Sequence, residues 1–341
     1  MFNLVPIPWS QFVSPLIWGL IISWAVTGLL KLLAVKYHLY KYITQHQIDN
    51  RVISRLGGVA IWFTFLILFL VYFDLTLPRL GLLLGMSLVF LMGVIDDLFN
   101  LPAAIKLACQ LVAVVVAVSM GVHIGQVTNP LGGVIVLSPV WDFILSVGWL
   151  VVVINALNVL DGLDGLAAGA SSIFAVILFF LSFFVIVNQP DTALMAVILL
   201  ATVLGFLIWN WYPAKIFMGD GGSNVLGFLI GGLAMISGAK IATAALVLGF
   251  PILDLLWAAW RRVRQGRSPF SADREHLHHR LLDAGVAHRS AVAIILSIVA
   301  LFGVVSLLSG TLAKLGALFL AAILMIIFIR TIFFLQRRKI S

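Results

Sequence analysis

Charge is scarce in this sequence. Asp, Glu, Lys and Arg make up 10% of its 341 residues, against 62% apolar ones. A soluble domain of this size neither needs so much apolar surface nor stays dissolved with so little charge. Cysteine is scarcer still. The single Cys109 excludes an intramolecular disulfide framework and any Cys-rich metal site. The opening "MFNLVPIPWSQ" has no basic stretch ahead of its apolar run, so that run reads as a full span rather than a cleavable leader. Alternating apolar runs are also lacking, which excludes a membrane β-barrel. What remains is an all-α polytopic membrane protein.

A bilayer-crossing helix takes about 20 mostly apolar residues, and the chain has about eleven such segments. They fall at 15–35, 57–75, 80–95, 105–122, 140–160, 166–187, 192–209, 225–237, 241–257, 291–308 and 312–334. Topology accounts for the net charge of +8 better than a nucleic-acid partner does. Lys36, Lys41, Arg51 and Arg55 share one loop, and Arg261, Arg262, Arg264, Arg267, Arg274, Arg280 and Arg289 another. The tail carries Arg337, Arg338 and Lys339, whereas the alternate loops hold only Arg79, Lys240 and Lys314. The positive-inside rule makes the basic set cytoplasmic. The N-terminus is then expected outside and the C-terminus inside, in a single membrane domain over 1–341 with no soluble domain and no repeat. Its cytoplasmic loops would be 36–55, 96–104, 161–165, 210–224 and 259–290.

The remaining polar residues fall in four clusters on that same side: "GVIDDLFNLPAAIK", "NALNVLDGLDGL", "NWYPAKIFMGDGGS" and "SPFSADREHLHHRLL". A lone Asp at a loop edge is an ordinary turn former. Carboxylates repeated at one membrane face are costly unless partnered or facing water, so the set as a whole points to a site. Asp161 and Asp164 are three apart, with Asn158 one turn earlier, which on a helix places them on similar sides. Adjacent Asp96 and Asp97 point about 100° apart and should have different jobs. Carboxylate and amide oxygens without cysteine suit a hard cation such as Mg²⁺, with Mn²⁺ as a substitute. The glycines of "MGDGGS" permit close backbone approach and an anion-accepting turn at a helix start. Lys106, the arginines and the histidines indicate a phosphorylated substrate, so metal-holding acids and phosphate-holding cations together fit phosphoryl transfer. Trp209, Trp211, Tyr212 and Phe217 are candidates to stack on a base, or to form an interfacial belt. Asn155 reads equally as a ligand or as a hydrogen-bonder between packed helices.

Taken in order, the four clusters resemble the polyprenyl-phosphate N-acetylhexosamine-1-phosphate transferases. That family includes the WecA-type enzymes, the MraY translocases and the eukaryotic dolichyl-phosphate GlcNAc-1-phosphate transferases. The likeness runs from about residue 49 to residue 282, and eleven spans with an outer N-terminus fit the WecA-type branch. It implies transfer of a sugar-1-phosphate from a cytoplasmic UDP-N-acetylhexosamine to polyprenyl (undecaprenyl) phosphate, with release of UMP, at the bacterial cytoplasmic membrane. It also implies membrane lipids as surroundings, no nucleic acid, and allows a homodimer.

Residue by residue, the resemblance makes Asp220 the Mg²⁺ ligand and Asn158 its partner. Asp96 and Asp97 match the essential Asp pair, and Lys106 a lysine that contacts the diphosphate. Asp164, Asn210 and Phe217 match the uridine pocket, and Asp161, between Asn158 and Asp164 in the chain, is expected to be catalytic, in the network between metal and uridine. Arg274, His276, His278, His279 and Arg280 lie in the loop that shapes sugar-phosphate recognition. There "HLHHR" is similar to the WecA-type form, which favours GlcNAc, whereas MraY enzymes carry three consecutive histidines. A zinc site is the poorer reading: His276 and His279 have helical spacing, but no cysteine or evident third ligand. "IDNRVISRLGG" resembles the family's first loop and adds Asp49, Arg51 and Arg55 to the candidates, though Ser54-Arg55-Leu56 stands where a proline is frequent. Two rivals follow from the same residues. One is an MraY-type transferase, and the other an ion-coupled transporter, whose site would sit near mid-membrane.

Overall fold

The computed structural model describes residues 9–39, 53–129, 132–183, 189–237, 241–268 and 276–323. In chain order these form α1 (Ser10–Lys36), α2 (Gly57–Tyr72), α3 (Leu77–Phe99), α4 (Ala103–Ser119), β1 (Gln126–Thr128), β2 (Val134–Val136), α5 (Pro139–Leu160), α6 (Leu166–Phe183), α7 (Pro190–Asn210), α8 (Gly219–Ile236), α9 (Ile241–Val247), α10 (Gly249–Arg264), α11 (Leu277–Asp283) and α12 (His288–Leu308). A further apolar helix, Thr311–Ile323, follows. Proline opens α3, α5 and α7, where its missing N–H is one the helix leaves unpaired anyway. Asn100 closes α3 in the left-handed conformation, φ 51°, which asparagine tolerates better than most residues.

Among the described residues six helices, α1, α3, α5, α6, α7 and α12, are long and apolar enough to cross a membrane, and α9 with α10 makes a seventh if that bent pair is one span. The chain is thus a polytopic α-helical membrane protein. The sequence reads 241–257 as one straight span. Instead the helix breaks at Leu248, and α9 and α10 meet at 76°. The sequence also gives no warning of the antiparallel β1–β2 hairpin, which pairs Gln126 with Val136. Asp142 anchors its base by accepting the Gly125 N–H at 2.8 Å and lying 2.7 Å from Nδ1 of His123.

Helix α8 is the hub, packed against α2, α3 and α5. Every residue of it except Asp220 and Ile236 is buried, so it meets protein rather than lipid and can carry glycines and polar side chains. Small residues let helices approach closely within a membrane. A Cβ on Gly58 of α2 would fall 2.4 Å from the Gly222 nitrogen, and one on Gly93 of α3 would fall 2.5 Å from Gly221 Cα. These contacts bring the end of α3 and the start of α2 onto the start of α8.

Candidate active site

That convergence builds the site. Asp96, buried near the end of α3, accepts the Leu101 N–H at 2.8 Å and pairs with the Lys106 ammonium at the start of α4. The same ammonium lies 3.3 Å from Oδ2 of Asp220. Asp97 turns elsewhere: its oxygens accept from Arg55 at 3.4 Å and from the Gly221 N–H at 3.3 Å. The two adjacent acids therefore have different partners, as their 100° offset requires. The helix start in "MGDGGS" does accept an anion, but it is the protein's own Asp97. Its glycines serve close helix packing.

Asp161 caps the end of α5, and a turn over 161–165 leads into α6. Asp161 and Asp164 are thus not on a helical face, contrary to their spacing. "DGLDG" stops the helix, because two glycines in five residues cost it too much backbone entropy. The turn nevertheless directs both acids into one cleft. Asp164 accepts the Ala214 N–H at 2.9 Å. Asn210 accepts the Gly165 N–H and donates to the Ile216 carbonyl, both at 3.0 Å. Phe217 is held by backbone pairing to Ser54 and Gly57, each at 2.9 Å, which also brings Arg55 to the site. Arg55, Asp161, Asp164, Asn210, Phe217 and Asp220 line an open cleft of about 460 Å³. Burial first, then the charges of Asp220 and Asp97, push Asp161 well above the usual carboxylate range.

Amide side chains support Asp220 from behind. Asn224 donates to the Asp220 carbonyl at 2.7 Å, Gln110 to Asn224 at 3.3 Å, and Asn155 to Gln110 at 2.9 Å. Asn155 is therefore a hydrogen-bonder between packed helices rather than a ligand. Asn158 donates to Ser223 at 3.0 Å, and its Oδ1 has no partner among the described residues. Among those residues no three His, Cys, Asp or Glu side chains form a ready-made metal cage. Mg²⁺ does not require one, since it binds through one or two carboxylates, waters and substrate phosphates. Asp96 and Asp220 already converge on one cationic group, that of Lys106. Asn158 reaches Asp220 through Ser223, which accepts from Asn158 at 3.0 Å and donates to the Asp220 carbonyl at 3.4 Å, and a half-buried carboxylate with an uncommitted amide oxygen is a donor set that fits a hard cation.

The family's sequence profile, described as glycosyl transferase family 4, matches residues 79–238. A decaprenyl-phosphate N-acetylglucosaminephosphotransferase of Mycobacterium leprae is 34% identical, over 93% of this chain and 89% of its own. A probable undecaprenyl-phosphate N-acetylglucosaminyl 1-phosphate transferase of Bacillus subtilis is 31% identical, over 90% and 86%. The undecaprenyl-phosphate alpha-N-acetylglucosaminyl 1-phosphate transferase of Salmonella typhi is 30% identical, over 72% and 69%. The chain belongs to glycosyl transferase family 4.

Within this family member, the histidine segment packs onto the 161–165 turn. A Cβ on Gly162 would fall 2.1 Å from Nε2 of His278, so only glycine fits beneath that ring. His278 is buried, and its Nε2 has no hydrogen-bond partner among the described residues. Burial, then the neighbouring His279 and His276, push it down to about 3. Its ring lies 4.2 Å from that of His279, and Arg280 is buried in the same helix turn. Arg274, Asp49 and Arg51 lie outside the described residues.

The aromatic candidates divide. Phe217 lines the cleft, but Trp209 stacks on Trp24 of α1 at 6.1 Å and Tyr212 on His288 at 4.4 Å, away from it, while Trp211 is exposed. The sequence reading missed Gln110, Ser223, Asn224 and Asp254. Polar residues inside apolar runs were the available signal.

Proposed function

We propose that this chain transfers GlcNAc-1-phosphate from cytoplasmic UDP-GlcNAc to a polyprenyl phosphate. UMP leaves, and the product is a lipid-linked diphosphate sugar of the kind that starts envelope polysaccharides. The observation that carries this is a single cleft in which Asp220, ion-paired to Lys106 at 3.3 Å, faces the Asp164–Asn210–Phe217 wall. The donor sugar and the lipid acceptor come from the relatives, which are named as N-acetylglucosamine phosphotransferases of polyprenyl phosphates.

An oxygen of the lipid phosphate attacks the sugar-bearing phosphorus of the donor. A P–O bond forms there as the bond to the bridging oxygen breaks, and UMP departs with the electron pair. The nucleophile needs little help from a base, because a phosphate monoester has its second pKa near about 6. Asp96 and Asp97 then serve mainly to position the cations. The barrier is repulsion between anions, which Lys106 and Arg55 reduce from fixed positions. Asp164, Asn210 and Phe217 hold the nucleoside. Asp220 and Asn158 Oδ1 would hold Mg²⁺, which when bound supplies charge neutralisation at the diphosphate. One phosphoanhydride replaces another, so the reaction runs readily in both directions.

The proposed topology has about eleven spans, counting the shorter apolar helices α2, α4 and Thr311–Ile323 and the buried α8, with the N-terminus outside. It turns the site toward the cytoplasm of a bacterial inner membrane. The test is UMP release by protein in detergent with undecaprenyl phosphate and Mg²⁺, offered UDP-GlcNAc, UDP-GalNAc or UDP-MurNAc-pentapeptide. Release with UDP-GlcNAc supports the proposal. Release with the pentapeptide donor alone moves the chain to the MraY branch, and with UDP-GalNAc alone changes the sugar.

A further inference from the structure

Asp254 lies in α10, within the apolar stretch "FPILDLLW", and is 3% exposed. A carboxylate there is costly in a membrane protein unless something uses it. Both its oxygens are committed to one short segment. Oδ2 lies 3.0 Å from Nδ1 of His276, and Oδ1 accepts the Leu277 N–H at 3.2 Å. His276 is itself 7% exposed. An ionised carboxylate only accepts hydrogen bonds, so the proton of His276 sits on Nδ1, and Nε2 is the nitrogen left for another partner. The His276 ring lies parallel to that of His278, 6.0 Å away, and His278 abuts Gly162 in the cleft wall. Asp254 is thus connected to the cleft through two imidazoles, while touching nothing in it.

Resting on the transferase reading, we infer that Asp254 is a positioning residue for the UDP-sugar. It fixes the Nδ1–H tautomer of His276 and seats the 276–280 segment against the 161–165 turn, which presents Nε2 of His276 to the donor. A purely structural role, capping α11 through Leu277, makes a different forecast. Asn in place of Asp keeps an acceptor for the Leu277 N–H. It offers His276 an amide donor instead of an acceptor, which reverses the tautomer.

The experiment measures steady-state kinetics of UMP release for wild type, Asp254→Asn, Asp254→Glu, His276→Ala and the Asp254→Asn/His276→Ala double variant. Asp254→Asn is expected to raise the KM for UDP-GlcNAc about tenfold, or roughly 1.4 kcal/mol, with the KM for lipid phosphate and the unfolding midpoint unchanged. Asp254→Glu should restore part of the loss, and the double variant should be no worse than His276→Ala alone. A wild-type KM in Asp254→Asn, equal rises for both substrates, or effects that multiply in the double variant would overturn the inference. A second readout needs no turnover: ¹⁵N NMR of the wild-type imidazoles, with His276 assigned by its loss in His276→Ala. The Nδ1–H tautomer supports the inference and the Nε2–H tautomer refutes it, even if Asp254→Asn does not fold. An inactive wild type with the expected tautomer would indict the transferase reading instead.

Discussion

Nζ of Lys106 lies 3.3 Å from Oδ2 of Asp220, which ties the start of α4 to the start of α8. The same ammonium pairs with Asp96 of α3, so one cation holds acids from two other helices. Replacing it with Gln leaves those acids facing each other without a counter-charge. Lys106→Gln is expected to lower kcat by about 100-fold, the scale on which fixed electrostatic groups act on transition states. It should also lower the unfolding midpoint. Steady-state rates and thermal unfolding in detergent check both, and an active, equally stable variant would refute the role.

Asp161 carries a testable sign. Its carboxyl is raised well above its ordinary value in the folded protein by burial and by Asp220 and Asp97. The folded state therefore binds the proton more tightly than the unfolded chain, and that stabilisation is full at low pH and lost as pH rises through the raised value. Asp161→Asn removes the loss. The variant should match wild type in acid and exceed it in unfolding midpoint near neutrality, while losing turnover. This is the trade expected of a strained functional group.

His278 runs the other way. Held down at about 3 against an ordinary 6.5, it stays neutral in the fold while the unfolded chain takes up a proton. Stability is complete above about pH 6.5 and falls as pH drops toward 3, at up to about 1.4 kcal/mol per pH unit from this group. His278→Gln should flatten the acid limb of the unfolding midpoint plotted against pH. An unchanged limb would contradict the burial.

The contact beneath that ring predicts a paired result. Gly162→Ala places a methyl 2.1 Å from Nε2 of His278, so the histidine segment must lift from the 161–165 turn. Turnover should fall at least tenfold, a loss of about 1.4 kcal/mol in the transition state. Adding His278→Ala removes the clash, and the double variant should recover part of the rate or stability lost. Independent, additive losses would show that the two residues do not meet.

Much of this arrangement is legible in the sequence, because in a chain this apolar each polar cluster stands out. Arg55, Asp161, Asp164, Asn210, Phe217 and Asp220 are separated by up to 165 positions and still line one cleft. The unreadable parts depend on packing. Nothing in "WNWYP" marks its first ring, Trp209, as one that meets Trp24 of α1 rather than substrate. The 76° break between α9 and α10 comes at Leu248, in a run with no proline at the hinge itself. Asp254 was hidden because only packing pairs it with His276, 22 positions further along the chain.

The lipid product distinguishes transfer of the sugar-phosphate from transfer of the sugar alone. Undecaprenyl phosphate, UDP-GlcNAc and Mg²⁺ would be incubated with wild type and with Asp220→Asn, and both the lipid and the released nucleotide identified by mass spectrometry. Wild type should give undecaprenyl diphosphate-GlcNAc with UMP, and neither should form with the variant or in EDTA. Undecaprenyl monophosphate-GlcNAc with UDP would contradict the proposed reaction, since the cleft would then transfer the sugar without its phosphate.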